Sequence, residues 1–216
     1  MRLRITFTKL GELKYISHLD LMRLWERALR RARIPVAYSR GFNPRPKITF
    51  AAALPLGFAS RGEVMDVVLE RRLSPHHFVQ RVREQLPRGV ELLDVEEVHP
   101  ALPSLQSQVR FAEYRVVVAS DESRAEMEAR LERLLRAQRL PRRRRRKEYD
   151  LRPLIDALWI EGEAPGGTLI GMRLRVGEGG TGRPDEVLDE LGLAERVVSI
   201  QRERLLFASS GAQTGV

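Results

Sequence analysis

The chain has 216 residues, 43 % of them hydrophobic, which is enough for one domain or two small ones with packed cores and excludes a disordered chain. It carries a formal net charge of +9 at pH 7, so nucleic acid is the leading candidate partner. It contains no cysteine, which excludes disulfides, thiolate metal sites and an iron–sulfur cluster held through the chain's own cysteines.

The first two predicted elements are a strand and a helix. Residues 2–9 alternate apolar and polar side chains, a pattern typical of a half-buried strand. Helical spacing then predicts a helix over residues 17–33, with Ser17 as N-cap and Asp20 in the position of a capping-box partner. The face opposite its apolar residues predicts a basic stripe made of Arg23, Arg27, Arg30 and Arg31, and we expect Arg23 and Arg27 of this stripe to contribute to RNA binding.

Further strands and a second helix complete the first half. Short strands are predicted at 36–39 and 63–71, with an apolar segment between them, and a closing strand at 89–98. The second helix is predicted to begin with Ser74 as cap and Pro75 at its first position. The resulting order, β-α-β-β-(β)-α-β, is the split βαβ arrangement of ferredoxin-like domains with an added strand.

The second half predicts the same arrangement again. Residues 100–108 lack an apolar period and are interpreted as a linker between domains 1–99 and 109–208. The second domain reads as a strand, an amphipathic helix, a hairpin, a helix begun by Pro184 and a last strand, and residues 209–216 as a disordered tail. We therefore expect an α+β fold of two tandem ferredoxin-like (split βαβ) domains.

The stretch "YSRGFNPRPKITF", residues 38–50, is the first candidate site. Its prolines and glycine restrict the backbone in advance, so the loop could present cations and free amides to phosphate oxygens while an aromatic ring stacks on an unpaired base. The alternative is a stiff connection with solvated cations and a buried phenylalanine. The residues that would carry RNA binding are Arg40, Phe42, Asn43, Arg45 and Lys47.

The start of the first helix offers the only catalytic alternative. His18 could act as a general base toward an RNA 2′-hydroxyl, which would make the protein a metal-independent endoribonuclease. The competing interpretation assigns Ser17 and Asp20 to capping and His18 to the apolar side of the helix. The remaining histidines show no metal-ligand spacing, so we expect neither a metal nor a cofactor.

A run of six cations is the second candidate site. The run lies between a predicted helix and a predicted strand. A block of like charges in this position predicts a solvated loop, which could reach along a nucleic-acid backbone. An acidic protein partner is the alternative. The run comprises Arg142, Arg143, Arg144, Arg145, Arg146 and Lys147.

The stretches "KYISHLD" and "RALRRARIPVAYSRGFNPRPKITFAAALPLGFASRGEVMDV", within residues 14–68, resemble the radical-SAM-linked (radical-SAM-associated) proteins, a bacterial family with a domain of unknown function. "YDLRPLI" and "RPDEVL" resemble it more loosely. Members occur beside, or fused to the end of, a radical-SAM protein with a cobalamin-binding-type region. The resemblance implies an accessory protein with such a partner, and it implies no reaction.

These observations lead to one functional expectation and two alternatives. We expect an RNA-binding accessory protein that presents tRNA or ribosomal RNA to a radical-SAM modifying enzyme, without catalytic activity of its own. The alternatives are the endoribonuclease that uses His18 and a protein-interaction module that docks an acidic partner. No apolar run reaches the roughly 20 residues that cross a bilayer, and the N-terminal segment lacks an apolar signal region, so we expect a cytoplasmic protein.

Overall fold

The computed structural model describes residues 1–144, 147–177 and 179–208. The protein has a mixed α+β architecture built on antiparallel strands, and it divides into two compact units, Met1–Gln108 and Val109–Val216. The segment predicted to be a linker, 100–108, belongs to unit 1, and the tail predicted to be disordered, 209–216, lies outside the described residues. No helix of the described ranges is both long and apolar enough to cross a membrane.

Unit 1 contains an antiparallel sheet. In spatial order its strands are β4 (Leu92–Val98), β1 (Arg2–Lys9), β3 (Ala59–Val68) and β2 (Ile48–Phe50). The prediction of a strand at 36–39 is wrong, because this segment makes only isolated bridges, from Val36 to Leu69 and from Tyr38 to Pro46. It therefore forms the entrance to a loop rather than part of the sheet.

Three helices belong to unit 1: α1 (His18–Arg31), α2 (Pro75–Arg83) and α3 (Leu105–Gln108). The predicted caps of the first two are confirmed, since the Ser17 and Ser74 hydroxyl oxygens accept hydrogen bonds from backbone amides three residues later. Helix α1 ends at Arg31, before the predicted Arg33, because Arg33 has a left-handed backbone with φ of +53°.

The core of unit 1 follows the predicted alternation of β1. Leu3, Ile5 and Phe7 are fully buried, and the Phe7 ring meets the Trp25 ring of α1 edge-on with centroids 4.8 Å apart. Phe78 of α2 joins the same cluster. Helix α1 is therefore anchored through its apolar face, and its basic face remains on the surface.

The long strands of unit 2 also pair antiparallel. In spatial order its strands are β10 (Val197–Phe207), β5 (Val109–Val118), β9 (Gly167–Arg175) and β8 (Ile155–Ala164). Its helices are α4 (Arg124–Arg136), which packs against β8, and α5 (Pro184–Glu190). A capping box of Ser123 and Glu126 starts α4, and the predicted hairpin of β8 and β9 is confirmed.

The cationic run of unit 2 lies in a two-stranded ribbon. Strand β6 (Pro141–Arg144) pairs antiparallel with β7 (Lys147–Asp150). The prediction of a solvated loop is therefore wrong for the described part of the run. Alternate residues of a strand share a face, and Arg142 and Arg144 use theirs to pair with carboxylates of α5.

Candidate nucleic-acid interface

The loop between α1 and β2 has a hydrogen-bonded stem. Lys47 N donates to Ala37 O over 2.8 Å, and Ser39 N donates to Arg45 O over 2.8 Å. In return, Arg45 N donates to the Ser39 hydroxyl oxygen over 2.9 Å. These hydrogen bonds join the two segments that flank the tip, so the tip residues 40–44 extend from a fixed base.

The tip exposes an aromatic ring. Gly41 has φ of +130°, a backbone conformation that other residues rarely adopt. The next side chain, Phe42, has a relative exposure of 105 %, so it contacts almost nothing in its own unit. The alternative in which Phe42 is buried within a stiff connection is therefore wrong. Scattered single apolar residues are common on protein surfaces, but a phenylalanine at a loop apex offers both ring faces to a ligand.

The cations around Phe42 carry charge that no carboxylate of the described residues neutralises. Arg40, Arg45 and Lys47 are all exposed, and none of them takes part in an ion pair within the described ranges. By contrast, the buried Asp66 of the same unit is paired with arginines of β1. The tip therefore combines an accessible ring with uncompensated positive charge, as is found where aromatics stack on bases and cations contact phosphates.

Helix α1 contributes differently from the prediction. Arg23 and Arg27 are exposed, and Arg23 makes a 3.5 Å pair with Asp20, an exposed contact of small energetic weight. Arg27 lines a cavity of about 550 Å³ together with Pro87. The stripe residue beside the loop stem is instead Arg30, which lines a separate groove of about 300 Å³.

The groove beside the loop stem includes an aromatic residue that belongs to the candidate stretch 38–50 but was not among the predicted RNA-binding residues. Tyr38 is half exposed and shares the groove with Arg30, Pro46 and Ile48. The local pattern predicts Tyr38 as a strand residue. The signal that could have identified it is its position directly before the cationic loop, with Pro46 as a partner that cannot donate a ladder hydrogen bond.

The residues at the start of α1 have structural roles. The Ser17 hydroxyl donates to Asp20 Oδ2 over 2.6 Å, and this hydrogen bond holds the pKa of Asp20 below its ordinary value. The half-buried His18 ring meets the Phe50 ring edge-on, with centroids 5.2 Å apart. In the described part of the chain no three histidine or acidic residues are grouped so that they could hold a metal ion.

Two described residues of the cationic run of unit 2, Arg142 and Arg144, form ion pairs. Arg142 lies 2.6 Å from Asp189 and 2.9 Å from Glu190, and Arg144 lies 2.6 Å from Glu186. Arg143, on the opposite face of β6, is exposed and has no ion pair among the described residues. The remaining members of the run are Lys147, whose backbone belongs to β7, and Arg145 and Arg146, which lie outside the described residues. Arg142 and Arg144 therefore differ from the loop cations of unit 1, which have no ion pair among the described residues.

Comparison with solved structures shows a distant likeness of fold. A chain in a crystal structure of a Cbf5-Nop10-Gar1 complex matches with a TM-score of 0.52 at 10 % identity, over 94 % of this chain and 48 % of that one. A chain in a crystal structure of the archaeal box H/ACA sRNP Nop10-Cbf5 complex matches with a TM-score of 0.47 at 12 % identity, over 93 % of this chain and 46 % of that one. This chain therefore spans about half the length of the chains it matches.

Comparison of sequences identifies a family. None of the curated proteins matches the chain. A family model described as an uncharacterized protein conserved in bacteria (DUF2344) matches residues 2–184. This match includes the exposed loop, α1 and the paired strands β6 and β7. Since it extends over most of the 216 residues, the chain belongs to this uncharacterized bacterial family, DUF2344.

Proposed function

We propose that the protein is a non-catalytic RNA-binding accessory that presents tRNA or ribosomal RNA to a radical-SAM modifying enzyme. The observation that carries RNA binding is the fully exposed Phe42 at the apex of a hydrogen-bonded loop whose cations lack carboxylate partners among the described residues. Arginine forks bind phosphates and aromatic faces stack on unpaired bases. Because the stem is already closed, little loop entropy is lost when RNA binds.

The geometry favours unpaired RNA over a duplex. A ring at a loop apex can stack only on a base that is not already stacked between neighbours, as in hairpin loops, bulges and single strands. Tyr38 and Arg30, in the groove beside the stem, offer a second position for a base or phosphate that follows the strand away from Phe42. The proposed site therefore extends from the tip along the stem.

We also infer that each unit is a variant of the ferredoxin-like (split βαβ) fold. Within each unit the chain order is β-α-β-β-α-β, and the strands lie in the order fourth, first, third, second. Unit 2 adds the ribbon of β6 and β7 between its first helix and its second strand. An experimental structure in which β2 or β8 left the edge of its sheet would contradict this inference.

A charge-reversal experiment tests RNA binding by the loop. The test variant replaces Arg40, Arg45 and Lys47 with glutamate. The control variant makes the same net change at exposed arginines elsewhere in unit 1, namely Arg81, Arg83 and Arg88. Binding of labelled total tRNA and ribosomal RNA fragments is measured by fluorescence anisotropy over a series of salt concentrations.

The two variants are expected to differ in their salt dependence. Each phosphate contact on single-stranded RNA adds about 0.7 to the slope of log K against log salt, so loss of three contacts lowers the slope by about 2. The control is expected to retain most of the wild-type slope. Equal losses in both variants would attribute binding to net charge alone, and absence of RNA binding at low salt would leave the protein-docking alternative in its place.

A further inference from the structure

Unit 2 contains a cavity of about 800 Å³ that the proposed loop site does not use. It lies among β7, the end of β9 and the glycine-containing segment that precedes α5. Cavities of about 300–1,000 Å³ with apolar walls and a few polar groups are typical of small-ligand sites. The walls combine apolar and aromatic side chains with three guanidinium groups: Tyr149, Pro153, Leu154, Arg144, Arg175 and Arg183. One carboxylate, that of Asp150, also lines the cavity, and its Oδ1 atom accepts hydrogen bonds from the backbone amides of Leu140 and Arg152.

The glycine-containing wall of this cavity is held in place. A Cβ atom on Gly180 would lie 3.0 Å from Leu154 Cδ2, and one on Gly182 would lie 2.9 Å from the Leu154 carbonyl oxygen. Gly182 N donates to Arg175 O over 2.9 Å, and Arg144 donates to the Thr181 carbonyl oxygen over 3.2 Å. Gly180 and Gly182 thus pack closely on Leu154 and form a defined wall.

One cation of the cavity remains available for a ligand. Arg144 forms a bidentate ion pair with Glu186, with Nε donating to Oε1 over 2.8 Å and Nη2 to Oε2 over 2.6 Å. Arg183 Nη2 lies 2.7 Å from Asp185 Oδ2. Arg175 is exposed and its guanidinium lies over the Phe111 ring, 5.7 Å from the ring centroid, but no ion pair of the described residues includes it. Arg144 and Arg183 each have a carboxylate partner. Arg175 is therefore the guanidinium group of the lining that an anion would pair with.

An aromatic and apolar surface lies within reach of that cation. Tyr149 is half-buried, its hydroxyl oxygen accepts a hydrogen bond from Arg144 over 3.3 Å, and the Arg144 guanidinium lies 5.0 Å from the centroid of its ring. Pro153 and the buried Leu154 supply apolar surface in the same cavity. Such a surface accepts a planar ring, whereas an isolated phosphate would use only the cation.

We propose that this cavity binds a nucleotide unit, with its base against Tyr149 and Leu154 and its phosphate at Arg175. The site lies in unit 2 and is separate from the RNA-binding loop of unit 1, so it goes beyond the function proposed above. The nucleotide unit is either a free mononucleotide or one residue of an RNA strand. Both present the same base and phosphate to the cavity.

Titration of the full chain with nucleotides tests this site. The four 5′-ribonucleoside monophosphates, adenosine and inorganic phosphate are titrated separately and followed by protein-observed NMR. At least one monophosphate is expected to bind more tightly than adenosine or phosphate. Arg175→Ala is expected to weaken that binding about tenfold, whereas the control Arg136→Ala, which removes an 80 % exposed cation of α4 outside the cavity, is expected to leave it unchanged.

Two Tyr149 variants separate the ring from the hydroxyl group. Tyr149→Phe keeps the stacking surface and is expected to bind within about twofold of wild type, while Tyr149→Leu is expected to weaken binding about tenfold. If no monophosphate binds, or if Arg175→Ala and Arg136→Ala behave alike, the proposal is overturned. The Arg175 comparison decides the matter even if Tyr149→Leu does not fold.

A short oligoribonucleotide distinguishes the two sources of the nucleotide. Tighter binding of a trinucleotide than of any monophosphate, with both weakened by Arg175→Ala, identifies an RNA strand. Equal affinities identify a free mononucleotide. The glutamate variant of the unit 1 loop is expected to leave mononucleotide binding intact, so failure of the loop site and failure of this cavity give different results.

Discussion

At the scale of single residues, Phe42 has a side chain that contributes little to folding and much to a binding surface. Because it is fully exposed, Phe42→Ala is expected to change the free energy of unfolding by less than about 0.5 kcal/mol. Stacking on one base is worth about 1–3 kcal/mol, so the same variant is expected to weaken single-stranded RNA binding about tenfold. Urea unfolding and fluorescence anisotropy with an unstructured oligoribonucleotide provide the two measurements.

Two controls make the Phe42 prediction specific to stacking. Phe42→Trp keeps a flat ring and is expected to preserve the affinity. A blunt RNA duplex, whose bases are already stacked, is expected to bind wild type and Phe42→Ala equally. If Phe42→Ala bound the single strand as tightly as wild type does, the ring would have no role in RNA recognition.

The residues of the candidate site could be predicted from the sequence only in part. The prolines and cations of the loop are local features, and a short window of sequence is enough to identify Arg40, Arg45 and Lys47 as candidates. Whether Phe42 is buried or exposed depends on whether another element covers the tip, which no local pattern reports. The groove position of Tyr38 depends on packing between α1 and the loop stem, and it was missed for the same reason.

At the scale of elements, the strands of unit 2 share one buried carboxylate. Glu113 of β5 is 8 % exposed and accepts hydrogen bonds from Arg173 of β9 over 3.0 Å and Arg204 of β10 over 2.6 Å. Burial raises the pKa of Glu113, but the hydrogen bonds from Arg204 and Arg173 outweigh it and hold the pKa below its ordinary value. The ionised carboxylate therefore links three adjacent strands.

The lowered pKa of Glu113 predicts a pH-dependent contribution to stability. A carboxyl group with a depressed pKa in the folded state stabilises the protein above its unfolded pKa, and this stabilisation is lost as the pH falls through the folded pKa. Glu113→Gln is therefore expected to lower the free energy of unfolding by about 1–3 kcal/mol at pH 7, less than for a fully buried pair because Arg204 is exposed. Below the folded pKa, the difference from wild type is expected to shrink.

Urea unfolding of wild type and Glu113→Gln at several pH values measures this effect. The control is Glu132→Gln, which removes an exposed carboxylate paired with Arg136 on α4. Exposed pairs of this kind contribute little, so the control is expected to follow wild type at each pH. A gap between Glu113→Gln and wild type that stays constant from neutral to acidic pH would show that the charge of Glu113 is not what stabilises the sheet.

Elements with a local sequence signal were predicted, whereas strand β6, which pairs with residues distant in the chain, was not. Strand β1 carries an apolar alternation, and Ser17 and Ser74 lie directly before their helices, so a short window of sequence contains the whole signal. Strand β6 has no apolar alternation. Two of its cations, Arg142 and Arg144, pair with carboxylates of α5 that lie more than forty residues later in the chain, which a local pattern of like charges cannot indicate.

At the scale of the whole molecule, the net charge is +9, and the cationic residues differ in whether carboxylates neutralise them. Arg142 and Arg144 in unit 2 pair with α5, whereas the loop cations of unit 1 have no ion pair within the described ranges. Composition alone favoured the six-cation run as the source of non-specific attraction to RNA. The pairing of its first members moves the emphasis to unit 1, because only uncompensated charge is available to phosphates.

These 216 residues contain no cysteine, so they cannot themselves hold a thiolate-bound cluster. If the protein presents RNA to a radical-SAM enzyme, affinity purification of the full chain from its own bacterium should recover a radical-SAM protein with a cobalamin-binding-type region. A direct contact should survive RNase treatment. The glutamate variant of Arg40, Arg45 and Lys47 should then lose RNA but retain the partner. Recovery that disappears with RNase would place RNA between the two proteins, and no recovery of such an enzyme in either arm would contradict the accessory role while leaving RNA binding by the loop to its own test.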